Sequence, residues 1–165
     1  MPETFLYLEK IKGESIDAVG GGPPHIDDIE VIDWEWGIGN SADLKDRDTE
    51  KEKLTKHTSF NDLKIIKWID LATPTLLYYC SVGKHITNAT LTCRKQAGDY
   101  KFEYYVVDFT DLKIMGVKWE RGEDKKEEIT FKFATFKVKY KMQDNSGEGA
   151  GTNDFGFDIT THEPK

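Results

Sequence analysis

In EEITFKFATFKVKYKMQ, residues 127–143, apolar residues recur at every second position, and half-way along the pattern changes phase. Ile129, Phe131 and Phe133 fall on one face, whereas Phe136, Val138, Tyr140 and Met142 fall on the other. A period of two marks a half-buried strand, because successive side chains point to opposite faces. A slip of one residue near Ala134 and Thr135 turns the apolar set outward unless the strand itself bends. HIDDIEVIDWEWGI, residues 25–38, behaves alike: Ile29 and Val31 share one phase, and Ile32, Trp34, Trp36 and Ile38 the other. That slip predicts a bulge near Val31 or a strand leaving one sheet for another. Strands that turn corners restrict the fold to a barrel or an orthogonal sandwich.

The remaining segments fit an all-β chain with one short helix. TFLYLEKI (4–11) reads as a first strand, GGGPP (20–24) as a loop, and FNDLKIIKWID (60–70) as a strand. In TPTLLYYCSVGKH (73–85), Thr73 before Pro74 predicts a helix N-cap, and Gly83 its C-terminal stop. Leu76, Leu77 and Cys80 are spaced to share its packed face. ITNATLTCRKQ (86–96) sends Ala89, Leu91 and Cys93 one way. YKFEYYVVDFTDLKIMGVKWE (100–120) is too long for one ordinary strand and is expected to bend or break at Asp108 to Asp111. DFGFDIT (154–160) closes the series with Phe155, Phe157 and Ile159 inward. Residues 39–59 have no apolar period and form a long polar loop. With no repeat and no linker, residues 1–165 read as a single domain.

Charge excludes some partners. The net charge of −7 opposes nucleic acid, which needs a basic surface. No apolar run reaches the roughly 20 residues that span a bilayer, so membrane insertion is not expected. Glu3 stands where a signal peptide would carry Lys or Arg, so the chain is expected to begin in the cytoplasm and to leave, if at all, by another route. Cys80 and Cys93 are too few for a disulfide framework.

The chemistry-bearing residues yield no active site. Cys80 and His85 resemble a nucleophile and base, but the helix places the thiol on its apolar face, where nothing lowers its pKa. Cys93 alternates with Leu91 and reads as core. DRDTEKEKLTKH (46–57) starts like a calcium loop, then has Lys51 at the required glycine and His57 at the bidentate glutamate. VGKHIT lacks the flanking residues of a phosphate loop. Trp34 and Trp36 share the phase of Ile32 and Ile38, which favours core over a sugar platform. No catalytic residue, metal or cofactor is expected.

Order and spacing carry a further reading. KGESID (12–17), HIDDIEVIDWEWG with His25, Ile29, Glu30, Val31, Trp34 and Trp36, TPTLLYYCSVGKHITNATLTCRKQAGD (73–99), FTDLKI (109–114) and FGFDI (155–159) together resemble the hemolysin-coregulated protein (Hcp) family. VGGGPP before His25, the charge-rich 39–59 loop and Trp119 followed by ERGEDKKE depart from its usual pattern. The resemblance implies an Hcp-like β-barrel of two sheets with a flanking helix, no enzyme activity, and a role as tube protein of the type VI secretion system. Six copies would close into a ring, and rings would stack head to tail. The implied partners are the chain itself, the spike protein, the sheath and baseplate, and small effectors in the lumen. On that reading the 39–59 loop carries ring stacking through Asp43, Lys45, Asp46, Arg47, Asp48, Glu50, Lys51, Glu52, Lys53 and Lys56, a nearly balanced charge set. Lys113, Met115 and Val117, sharing one phase, are the expected lumen or cargo positions. Two other readings stay open at this point. A carbohydrate-binding β-sandwich needs Trp34 and Trp36 exposed, and a secreted effector needs a buried polar cluster.

Overall fold

The computed structural model describes residues 3–17, 24–40, 58–98, 100–119, 125–143 and 149–165. In chain order it contains β1 (Thr4–Leu8), β2 (Ile29–Glu30), β3 (Asp33–Glu35), β4 (Ile38–Asn40), β5 (Thr58–Phe60), β6 (Leu63–Trp68), α1 (Thr73–Val82), β7 (His85–Ala97), β8 (Tyr100–Trp119), β9 (Lys126–Gln143), β10 (Gly149–Asp158) and β11 (Glu163–Pro164). The large sheet runs β11-β10-β9-β8-β7-β1-β2, all antiparallel, with β6 on β9 and β3 on β6. β4 and β5 form a second, two-stranded sheet.

Residues 29–35 close the barrel. Ile29 and Glu30 pair with Leu6 and Phe5 of β1, whereas Asp33 to Glu35 pair with β6. Between them, Val31 N–H donates to the Thr4 carbonyl at 3.0 Å and Ile32 N–H to that of Ile66 at 2.8 Å. Backbone bonds therefore run round a complete path, β1-β7-β8-β9-β6 and back through residues 29–35. Closure leaves neither β1 nor β6 with a free edge. The slip predicted at Val31 is this hand-over from one neighbour to the other. Ile32 and Ile38, expected inward, are exposed: Ile32 lies at the hand-over and Ile38 on the β4-β5 ladder. Trp34 and Trp36 are half-buried against the core.

The second slip belongs to three strands at once. Ile86, Leu112 and Phe133 pair in register, as do Ala89, Phe109 and Phe136, and all six are buried. Each strand thus changes face at the same level, at residues 87–88, 110–111 and 134–135. The result is one crease across β7, β8 and β9. Asp111, at φ 51°, absorbs the bend in the middle strand, and the Thr110 and Thr135 hydroxyls bond across it. The break expected near Asp108 to Asp111 is this crease, and β8 continues for 20 residues. The core lies inside the bend, around Leu6, Leu63, Ile65, Leu91, Phe109, Ile129 and Phe131. Full burial of a phenylalanine there is worth about 2–3 kcal/mol by area.

Past the crease, β9 exchanges β6 for β10 as its neighbour. Phe157 reaches the core, but Phe155, expected inward, is exposed, as are Tyr140 and Met142 in the phase of Phe136. This apolar side of β9 and β10 runs beyond the barrel, and none of the described residues buries it.

The helix forms where expected, with one correction. Gly83 ends it at φ 68°, its N–H bonded to the Tyr79 carbonyl. Thr73 is not the N-cap; Ala72 holds that position with no side-chain bond. The Asp70 carboxylate accepts from Ala72 N–H at 2.9 Å, while the Thr73 hydroxyl accepts from Asp70 N–H and donates inward to Glu127. The face that packs is Thr73, Leu76 and Tyr79, with Leu77 and Cys80 at its margins.

Candidate assembly surface and two buried charge clusters

Lys67 lies in phase with Leu63 and Ile65, and Glu127 in phase with Ile129 and Phe131, so both strands carry a charge into the barrel. Both side chains are 0% exposed, and Lys67 Nζ meets Glu127 Oε2 at 2.6 Å. Lys67 also donates to Asp70 at 2.8 Å and to the Trp68 carbonyl at 2.9 Å. Glu127 accepts from the Thr73 hydroxyl and from Trp119 Nε1, both at 2.9 Å. The cluster ties β6, β8, β9 and the start of α1 together, and every polar end is satisfied.

The second cluster lies on the outer face of the sheet. Thr4, Leu6 and Leu8 alternate with Phe5 along β1, so Phe5 faces away from the core yet is fully buried. His25 stacks on its ring at 4.5 Å with planes 5° apart, and the Arg94 guanidinium lies over the same ring at 4.5 Å. His25 Nδ1 contacts Asp28 and Nε2 contacts Glu103, each at 2.8 Å. Arg94 binds Asp17 with both terminal nitrogens, at 2.7 and 3.2 Å. Burial by itself lowers the imidazole pKa; the hydrogen bonds and charges of Asp28 and Glu103 outweigh it and hold the pKa at about 9.

Neither cluster joins a nucleophile to a base. The Cys93 thiol is buried beside Thr4, and that burial pushes its pKa up, away from thiolate. Cys80, expected buried, is half-exposed at the helix margin. Cys93 should therefore react with an aromatic disulfide at least about tenfold more slowly in the native protein than in denaturant, and Cys80 faster than Cys93. Equal rates for the two thiols, read with Cys→Ser variants, would contradict this placement. Trp34 stacks on Tyr105 at 5.7 Å and Trp36 packs edge-on to Phe109, Phe133 and Phe136. Occupied in this way, the pair does not offer the open platform a sugar needs.

Of the expected assembly residues, Asp43, Lys45, Asp46, Arg47, Asp48, Glu50, Lys51, Glu52, Lys53 and Lys56 lie outside the described residues. The two ends of their segment are described: Ile38, Gly39 and Asn40 of β4 pair with Phe60, Ser59 and Thr58 of β5. The long segment thus starts and finishes on a paired stem. Lys113 and Met115 are exposed, with Lys113 between His85 and Lys132 in register. Val117 does not share their face. Met115 is an extra residue in the β8-β9 ladder, where the pairing shifts between Ile114 and Gly116. The bulge turns Val117 toward the core opposite Ile129, and Trp119 pairs with Glu127, reaching it with its indole N–H while its ring stays exposed. Sequence reading missed Lys67, Glu127 and the Arg94–Asp17 pair, although the first two stand in phase with apolar neighbours.

Residues 5–140 match the family described as "Type VI secretion system effector, Hcp". The chain belongs to the Hcp family. It is 30% identical to Protein hcp1 of Pseudomonas aeruginosa over 161 residues, 95% of this chain and 94% of that protein. Among solved structures it is similar to Hcp1 from Salmonella typhimurium, with 30% identity, a TM-score of 0.77 and full coverage of both chains. It is also similar to a type VI secretion system effector from Yersinia pestis, with 32% identity, a TM-score of 0.73, and coverage of 94% and 99%. The all-β barrel with one short helix is the fold these Hcp structures share. Among the described residues, no helix is long and apolar enough to cross a membrane.

Proposed function

We propose that this Hcp chain is the repeating subunit of a type VI secretion tube. Six copies close head to tail into a ring, rings stack, and the tube leaves the cytoplasm with a spike at its tip, driven by a sheath on a baseplate. The observation that carries self-assembly is the uncovered apolar side of β9 and β10. Tyr140, Met142 and Phe155 stand together there, and an uncovered apolar patch of this kind is typical of a contact surface. Family membership over residues 5–140 supports the secretion role. Small effectors in the lumen would meet Lys113 and Met115 if the outward face of β8 lines the channel.

The native particle should have six times the mass of one chain; a protein that stays monomeric at every concentration tested by light scattering would refute the ring. Stacking is assigned to the segment on the β4-β5 stem. Exposed ion pairs contribute only ~0–1 kcal/mol each, and each copy carries −7, so stacking should be weak and salt-dependent. Replacing residues 43–56 by a short Gly/Ser link should leave rings intact and abolish tubes in electron micrographs. Normal tubes, or failure to form rings, would assign this segment a different role.

A further inference from the structure

Residues 13–17 and 24–28 are two arms bonded to each other by their backbones. Gly13 N–H donates to Asp27 O, Asp27 N–H to Ser15 O, Ser15 N–H to Asp28 O, and His25 N–H to Asp17 O, at 2.7–3.1 Å. The pair lies across the outer face of β1, β7 and β8. Few apolar contacts hold it there: Ile16 is 88% exposed and Ile26 is exposed as well. Two charged clamps do so instead, Asp17 on Arg94 of β7 and His25 on Glu103 of β8.

We propose that these arms are a pH-sensitive latch, closed on the sheet by the imidazolium form of His25 and released when that ring loses its proton. The geometry requires the charged form. Both ring nitrogens face carboxylate oxygens at 2.8 Å, and only the imidazolium has an N–H for each. The neutral ring leaves Asp28 or Glu103 facing a lone pair, with both carboxylates largely buried. Other charged groups face the site from every side. Asp17 and Asp27 lie on the arms, Lys12 just before them, Glu3 just before β1, Glu30 on β2 beside Phe5, Arg94 on β7 and Lys101 on β8. Lys101 is bonded to Glu3 and Arg94 to Asp17, so neither cation replaces His25 between Asp28 and Glu103. The Arg94–Asp17 clamp is a separate two-point pair that does not involve the His25 ring, so it holds its end while the His25 end lets go.

The sign follows from linkage. The closed form holds the proton to about pH 9, the open form only to the ordinary histidine value of 6.5. Opening therefore releases a proton between those limits. The latch is tightest below pH 6.5, loosens about tenfold per unit above it, and levels off beyond pH 9.

Hydrogen exchange on the unmodified protein tests this. Protection factors at Gly13, Ser15 and Asp27 are read relative to amides of α1, which removes the base catalysis common to all. The ratio should fall by up to about 300-fold from pH 6.5 to 9 and then stay flat. A ratio constant within about threefold, or a His25 ring whose nitrogen shifts show the neutral form at pH 7, would overturn the latch. His25→Gln should give low protection in the arms at every pH with α1 unchanged. A variant that keeps the pH-dependent fall would assign the switch to another group. Should it not fold, the ring shifts and exchange of the unmodified protein decide by themselves.

Discussion

Lys67→Met is expected to cost roughly 3–5 kcal/mol of stability, the range for removing one partner of a buried ion pair. It leaves the Glu127 carboxylate at 0% exposure with only Thr73 and Trp119 as neutral donors. Glu127→Leu should cost less, roughly 1–3 kcal/mol, because Lys67 keeps Asp70 and the Trp68 carbonyl. The double variant should regain most of the loss, since two apolar side chains need no counter-charge. Denaturant midpoints of the three variants at constant slope check the order. Equal losses from the two single variants would contradict this order, and a double variant whose loss is the sum of the two would show that the pair does not act as a unit.

Gly13→Ala is expected to destabilise by roughly 1–3 kcal/mol, the usual range for overpacking. A Cβ at Gly13 would lie 2.4 Å from the Asp28 carbonyl oxygen and 2.8 Å from Ile29 Cα. These are backbone atoms, and Ile29 is fixed by its pairing with Leu6, so neither can swing aside. The arms must lift instead. Gly13→Ala should therefore lower the thermal midpoint and remove protection from Ser15 and Asp27, while α1 keeps its own. A midpoint unchanged within error would show that the arms yield without strain.

Much of this architecture was legible as alternation. The slips at Val31 and at Ala134 to Thr135 are real, and each marks a place where a strand changes its neighbour. Alternation on one strand could not show that β7 and β8 bend at the same level, because that depends on register. It also misled where burial depends on what covers a face: Phe155, Tyr140 and Met142 have the right phase and no cover. Thr73 before Pro74 looked like a cap because that pair commonly is one; its hydroxyl instead bonds back to Asp70 N–H and inward to Glu127. Lys67 and Glu127 were visible as in-phase charges, and the missing step was to treat an inward lysine and an inward glutamate as partners. The charge-rich segment yielded composition only, since a balanced polar loop has no pattern from which to place it.

The hand-over at Val31 and Ile32 bears on how the chain reaches its native state. β7, β8, β9 and β10 follow one another and pair as a meander, so each hairpin closes a short loop. Residues 29–35 must instead find β1 on one side and β6 on the other, and β6 must find β9 across the whole helix and two long strands. Loop-closure entropy makes such distant pairings late and slow. The meander is therefore expected to assemble first and the amino-terminal quarter to seal the cylinder last. While that seam is open, β1 and β6 are sheet edges with one side unpaired, so the newly made chain is most exposed to mispairing before its N-terminal strands engage.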